Sequence, residues 1–142
     1  MARSVFGGAV DYGRVRIRRR SYLPFGMQPN DVAMAPDGNI YFNPAGTLHQ
    51  EDFSAASMHS QALFIHEMTH VWQHQQGRWL RVRAALNRRY SYPTLQATDD
   101  FESFGLEQQA DIVRDYFYQT RGHRQNGWAP IAVYRAVIPF VN

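Results

Sequence analysis

The apolar positions change rhythm along the chain. Before residue 45 they fall in short runs broken by turn residues. Val15 and Ile17 alternate with arginines over 14–19, the period of a half-buried strand. Asp31-Val32-Ala33-Met34-Ala35 and Asn39-Ile40-Tyr41-Phe42 flank Pro36-Asp37-Gly38. An Asp-Gly between two apolar runs signals a hairpin. Residues 1–13 are Gly-rich and read as a flexible lead-in.

From residue 60 onward the spacing becomes helical. The run Ala62-Leu63-Phe64-Ile65 continues through Val71-Trp72 and predicts a helix from about Ser60 to Gln76, with Gly77 as its C-terminal cap. Leu106, Ala110, Val113 and Phe117 recur on one face of a second helix, from about Gly105 to Gln119 and ended near Gly122. Trp79 to Arg89 reads as a shorter helix or helical turn, and Tyr90 to Phe101 as irregular chain. Pro130 suits the first turn of a last segment in which Ile131, Tyr134 and Ile138 face inward. Strand signals come first and helix signals after, which is segregation rather than alternation. The expectation is an α+β fold in one domain spanning 1–142, with a small N-terminal sheet over the helices.

Composition narrows the chemistry. There are no cysteines, so disulfides and thiolate metal sites are excluded. No run has the length of a membrane span, and the first residues lack the charged-then-apolar pattern of a signal peptide. The net charge is +3. Every basic residue is arginine, as a GC-rich coding sequence produces. Arg14, Arg16, Arg18, Arg19 and Arg20 form the densest cluster, and Arg78, Arg81, Arg83, Arg88 and Arg89 a second. A solvated face is the plainer reading of both. Docking to an acidic partner or to nucleic acid is the alternative, and we expect no nucleic-acid partner.

The first long helix carries His66-Glu67-Met68-Thr69-His70. Residues four apart share a helix face, so both imidazoles can reach one ion. Glu67 stands next to them, where it can activate water as a general base. This is the H-E-x-x-H arrangement of a zinc hydrolase. The competing reading is a core helix that happens to carry two histidines, yet such a string arises by chance in roughly one in a hundred chains of this length and composition.

A catalytic zinc needs a third protein ligand and an open position. Metzincins supply a histidine ten residues after the first; here that position is Gln76. Gluzincins supply a glutamate from a later helix, and Glu107 on the second helix fits. Asp111 lies one turn on, where it can accept the N–H of a ligand histidine. Glu102, and Asp111 itself, compete for the third place. His74 lies one turn beyond His70, but three histidines at four-residue spacing span about 12 Å, too far for one ion. Stabilising a developing oxyanion calls for a further donor. Tyr116, Tyr118, Arg121, His123 and Tyr134 are candidates, and His123 is preferred for its loop position after the glutamate helix. In zincins the strand before the zinc helix lines the cleft. Ile40, Tyr41 and Phe42 would be that edge, open to an extended peptide by backbone pairing.

Several strings together carry a family resemblance: Pro24-Phe25-Gly26-Met27, Val32-Ala33-Met34-Ala35-Pro36, Asn39-Ile40-Tyr41-Phe42, the stretch from Leu63 to His74, and Glu107-Gln108-Gln109-Ala110-Asp111. The chain resembles the Vgr-related zinc peptidases of Gram-negative bacteria from about Ser21 to Phe140. Such sequences occur alone or as C-terminal domains of type VI secretion spike proteins. The resemblance implies a compact zincin-like, mini-gluzincin domain acting as a monomer. It implies Zn2+ as cofactor, a peptide or protein as substrate, and a spike protein or an immunity protein as partner. It also implies a role in secretion or bacterial antagonism: cytoplasmic in the producer, then delivered to the periplasm of a target cell by a contractile system. Two rival functions stand beside the peptidase. One is a zinc-stabilised adaptor of a secretion apparatus; the other is a zinc amidase acting on a non-protein bond.

Overall fold

A computed structural model describes residues 1–78 and 91–141. The helix expected at Trp79–Arg89, with Arg81, Arg83, Arg88 and Arg89, lies outside the described residues. Among those described, the order is a short helix α1 (Arg3–Phe6), strands β1 (Ile17–Arg18), β2 (Ala33–Met34) and β3 (Ile40–Phe42), then helices α2 (Met58–Gln75), α3 (Leu106–Thr120) and α4 (Ile131–Val137). Single 3-10 turns at Tyr12–Arg14, Pro24–Gly26, Phe53–Ala55 and Phe101–Ser103 join them. The molecule is a small α+β domain, strands first and long helices after. Among the described residues no helix is long and apolar enough to cross a membrane.

The two long helices begin and end where the local chemistry dictates. The Ser57 hydroxyl accepts the Ser60 N–H at 3.2 Å and caps α2. At the other end Gly77 has φ +78, its N–H donates to the His74 carbonyl, and the Arg78 N–H donates to that of Gln73. Helix α3 stops the same way, with Gly122 at φ +81 and bonds from Gly122 to Gln119 and from His123 to Tyr118. Both ends are Schellman motifs, whose left-handed residue is cheap only for glycine.

Helix α2 is the centre of the domain. Residues 64–73 are buried without interruption, so it has no solvent face over nearly three turns. Helix α3 packs along it through Ala110, Val113 and Phe117, all 0 % exposed. Tyr134, Val137 and Ile138 close one side. An aromatic row links sheet to helix: Phe42 stacks on Phe53 at 5.3 Å, and Phe53 on Phe64 at 4.6 Å.

The sheet departs from expectation in three ways. The strand order is β1-β3-β2, with β1 parallel and β2 antiparallel to β3. Ile40, Tyr41 and Phe42 are therefore the central strand, buried and paired on both sides, not an open edge for a peptide. The hairpin partner takes one side, and the parallel pairing with Ile17–Arg18, remote in sequence, takes the other. Second, β1 is exposed rather than half-buried. Ile17 is 45 % exposed, and Arg14, Arg16, Arg18, Arg19 and Arg20 all lie in solvent. Third, residues 1–13 are docked. Val5, Phe6 and Val10 are core residues, and Phe6 stacks on Phe140 at 5.0 Å. The Gln75 amide clamps the Asp11 backbone, accepting from its N–H at 2.8 Å and donating to its carbonyl at 3.1 Å. Three apolar side chains reaching the core offset the flexibility that the glycines favour.

This docking sets a stability test. Phe6→Ala removes a fully buried ring and should cost about 3–5 kcal/mol. Phe25→Ala removes a ring that is 100 % exposed, and should stay within about 0.5 kcal/mol. Urea unfolding of the two variants checks the difference; equal midpoints would mean that the N-terminal segment is not part of the folded unit.

Candidate metal centre

The centre is built where α2 and α3 cross. His66 and His70, four apart on α2, bring their rings to 4.9 Å between centroids at 84°. Glu107 stands in the first turn of α3. Its Oε2 lies 3.3 Å from His66 Nε2 and 3.2 Å from His70 Nε2. One ligand atom from each of the three residues falls within 4.8 Å of the others, a grouping that could hold a metal ion. Both histidines are 8 % exposed.

Each imidazole has a backing group on its other nitrogen. Asp111 Oδ1 lies 2.9 Å from His66 Nδ1, one turn along α3 from Glu107. Arg114 steadies that carboxylate through a 2.5 Å contact to the same oxygen. A second arm of Arg114 reaches Asp115, which also accepts the Tyr92 hydroxyl at 2.5 Å. His70 Nδ1 faces Gln73 Oε1 at 2.8 Å.

The electrostatics follow from these pairs. Burial opposes a charge on His66, but its bonds to Asp111 and Glu107 and the fields of Glu67 and Asp111 outweigh burial and push its pKa up to about 9. Burial also acts against a charged Glu107, yet bonds from His66 and His70 hold its carboxyl well below the usual carboxylate range. Glu67 differs. Burial raises its pKa, the two histidines lower it, Glu107 raises it, and the net shift is upward. Its Oε2 is buried with no hydrogen-bond partner among the described residues.

The competing ligand candidates lie elsewhere. Glu102 is exposed and pairs with Arg78. His74 is exposed and sits against the turn at Gly38. His123 is not brought to the centre: it is exposed past the end of α3, against Tyr118, more than about 20 Å along the helix axis from Glu107. Arg121 is exposed over the Phe117 ring, and Tyr134 is buried against Tyr92. Four participants were not singled out as site residues by the sequence: Gln73, Gln109, Arg114 and Tyr92. The one signal for Gln73 is its place three residues after His70, on the same helix face.

No protein-family model matches the chain. A type VI secretion system spike protein of Pseudomonas aeruginosa, VgrG2b, is 42 % identical over 127 residues, covering 84 % of this chain. The matched region is 12 % of that protein's length. A solved structure, the effector domain of Pseudomonas aeruginosa VgrG2b, aligns with a TM-score of 0.73 at 41 % identity, over 84 % of this chain and 69 % of that one. With that identity sustained over more than two thirds of the solved domain, the chain belongs to the family of the VgrG2b effector domain of type VI secretion.

Proposed function

We propose that this chain is a zincin-like, gluzincin-type zinc metallopeptidase acting as a type VI secretion effector. Glu67 carries the reading. A carboxylate placed in a core with an unpartnered oxygen costs stability. A purely structural metal site has no use for it, whereas hydrolysis needs a general base at that place.

The donor set suits the ion. Two ligands about 2.05 Å from a tetrahedral zinc lie about 3.3 Å apart. Glu107 Oε2 stands 3.3 and 3.2 Å from the two Nε2 atoms. Two imidazoles and one carboxylate are also borderline donors of the kind zinc takes, and three protein ligands leave a fourth position open. Bound there, zinc supplies Lewis acidity, which makes water more acidic and polarises a carbonyl. His66, His70 and Glu107 would hold it, and Asp111 keeps the proton of His66 on Nδ1, so that Nε2 turns toward Glu107 and the metal position. Glu67 takes a proton from water and returns it to the leaving nitrogen. In the metal-free chain burial holds its pKa above the ordinary carboxylate value, and a zinc ion beside it would favour the charged, proton-accepting form.

The biological setting is part of the proposal. The solved relative is the effector domain of VgrG2b, a type VI secretion system spike protein. Delivery by a contractile system into the periplasm of a target cell, with a peptide or protein substrate there, fits that description.

Two experiments test this. Glu67→Ala should keep its zinc and its fold while kcat/KM falls about 10²–10⁴-fold. Profiling of new protein termini in cells given each form in the periplasm reads the loss directly. Identical profiles and identical growth for wild type and Glu67→Ala would favour the adaptor reading. The second test uses pH. In the metal-free chain the pKa of His66 rises from 6.5 to about 9 on folding, so its stabilising contribution is complete below pH 6.5 and is lost as pH climbs through about 9. Zinc has the opposite dependence, because it competes with that proton. The melting temperature of chelator-treated protein should fall across this window, while the gain on adding zinc grows. A zinc-induced gain that is flat or shrinks with pH would contradict the proposed role of His66.

A further inference from the structure

A chain of buried amides runs from the backbone before α3 to the ring of His70. It begins at the 3-10 turn Phe101–Ser103. The Gln109 side-chain nitrogen donates to the carbonyls of Phe101 and Phe104, each at 3.0 Å. Both its hydrogens are then used, and its Oε1 turns the other way. That oxygen accepts from Gln73 Nε2 at 2.9 Å and from Arg78 Nη1 at 3.1 Å. Gln73 Nε2 spends its second hydrogen on the Leu106 carbonyl at 2.9 Å. Its Oε1 is left facing His70 Nδ1 at 2.8 Å. Gln73 is 0 % and Gln109 1 % exposed.

The polarity of this relay admits one solution. Turning over Gln109 would aim its oxygen at two carbonyl oxygens. Turning over Gln73 would aim its oxygen at the Leu106 carbonyl and at Gln109 Oε1. Each flip sets acceptor against acceptor in a dry interior, where unmade hydrogen bonds are not compensated by water. Backbone carbonyls that cannot move therefore dictate both amides, and the second amide presents an oxygen to the ring. An amide oxygen only accepts.

We propose that Gln73, locked by Gln109, is the positioning residue for His70: it keeps the proton on Nδ1 and aims the Nε2 lone pair at the metal position. This rests on the metal-site reading above and goes beyond it. His66 is backed by a carboxylate, Asp111, whereas His70 is backed by a neutral amide. The same Gln73 nitrogen also holds the Leu106 carbonyl, the residue before Glu107. One side chain thus ties a histidine of α2 to the start of α3 that carries the glutamate. Its removal should disturb two ligands together.

The test uses the full chain labelled with 15N-histidine. Long-range proton–nitrogen spectra should show a proton on His70 Nδ1, with and without added zinc. Gln73→Leu should lose the protected Nδ1 proton and bind zinc about 10–100-fold more weakly by competition with a chromophoric chelator. Gln109→Leu, which removes the lock without itself contacting His70, should weaken zinc by a smaller factor and partly deprotect the Nδ1 proton. A role confined to packing would lower the melting temperature of either variant without moving the Nδ1 signal or the zinc affinity, and that result overturns the proposal. So does a wild-type His70 that lacks the Nδ1 proton, a measurement that needs no variant to fold. If wild type takes up no zinc, the metal reading fails, and the relay is then decided on the Nδ1 proton of the zinc-free chain.

Discussion

Helix α2 is buried on every side yet carries five polar side chains in its middle: His66, Glu67, Thr69, His70 and Gln73. This is the constraint on which the domain depends. Buried polar groups must be partnered, or the core loses several kcal/mol. Thr69 solves the problem locally, by donating to the Ile65 carbonyl one turn back at 3.0 Å. The others need a second element, and α3 supplies it. Glu107, Gln109 and Asp111, all in its first two turns, meet His70, Gln73 and His66 respectively. The register of α3 on α2 is therefore held by polar pairing as much as by packing. A slide of one turn would break these pairs. Glu67 Oε2 is the exception that α3 does not answer.

The apolar shell around this seam keeps it dry. Trp72 and Phe101 cover one end, with Phe140 and Phe6 stacked behind them. The N-terminal segment and the last residues thus close the same wall. Low local polarity strengthens each charge pair in the seam. It also raises the cost of the unpaired Glu67 oxygen, so the shell that strengthens these pairs destabilises the fold at that one atom. The sheet lies outside this seam. It braces α2 through the Phe42-Phe53-Phe64 row, and the buried amide of Gln28 holds its loops by donating to the Val32 and Tyr41 carbonyls at 2.8 and 2.9 Å.

Much of this was legible in the chain, for reasons that differ by element. Helical spacing is local, so α2 and α3 could be placed within a few residues, and the four-residue steps from His66 to His70 and from Glu107 to Asp111 mark shared faces without any tertiary knowledge. The hairpin was equally local. What failed was non-local. No pattern within Ile40–Phe42 says that a strand more than twenty residues earlier will pair beside it and make it central. Phe6 and Val10 look like ornaments on a glycine-rich tail until Phe140 is folded against them. His123 failed differently. Its loop position was read correctly, but that loop follows the whole length of α3, and a rise of about 1.5 Å per residue from Glu107 to the helix end puts it out of reach. The glutamine relay was invisible because a glutamine in a helix usually faces water, and burial alone distinguishes Gln73 and Gln109 from their exposed neighbour Gln76.

The two histidines show how one motif can be served by unlike surroundings. A carboxylate behind His66 shares in its charge, which is why that imidazole holds a proton so strongly when no ion competes. An amide behind His70 orients the ring and adds no charge. Had both backing groups been carboxylates, the seam would gather four acids with Glu67 and Glu107 around the two imidazoles, with the guanidiniums of Arg114 and Arg78 at its margin. Repulsion among them would then raise the cost of the folded metal-free chain. A neutral relay behind one histidine avoids this. It also explains why the relay must end on backbone carbonyls: an amide lacks the charge to impose a tautomer by field alone, so it has to do so by geometry, and geometry is secure only when the far end of the chain of bonds cannot turn.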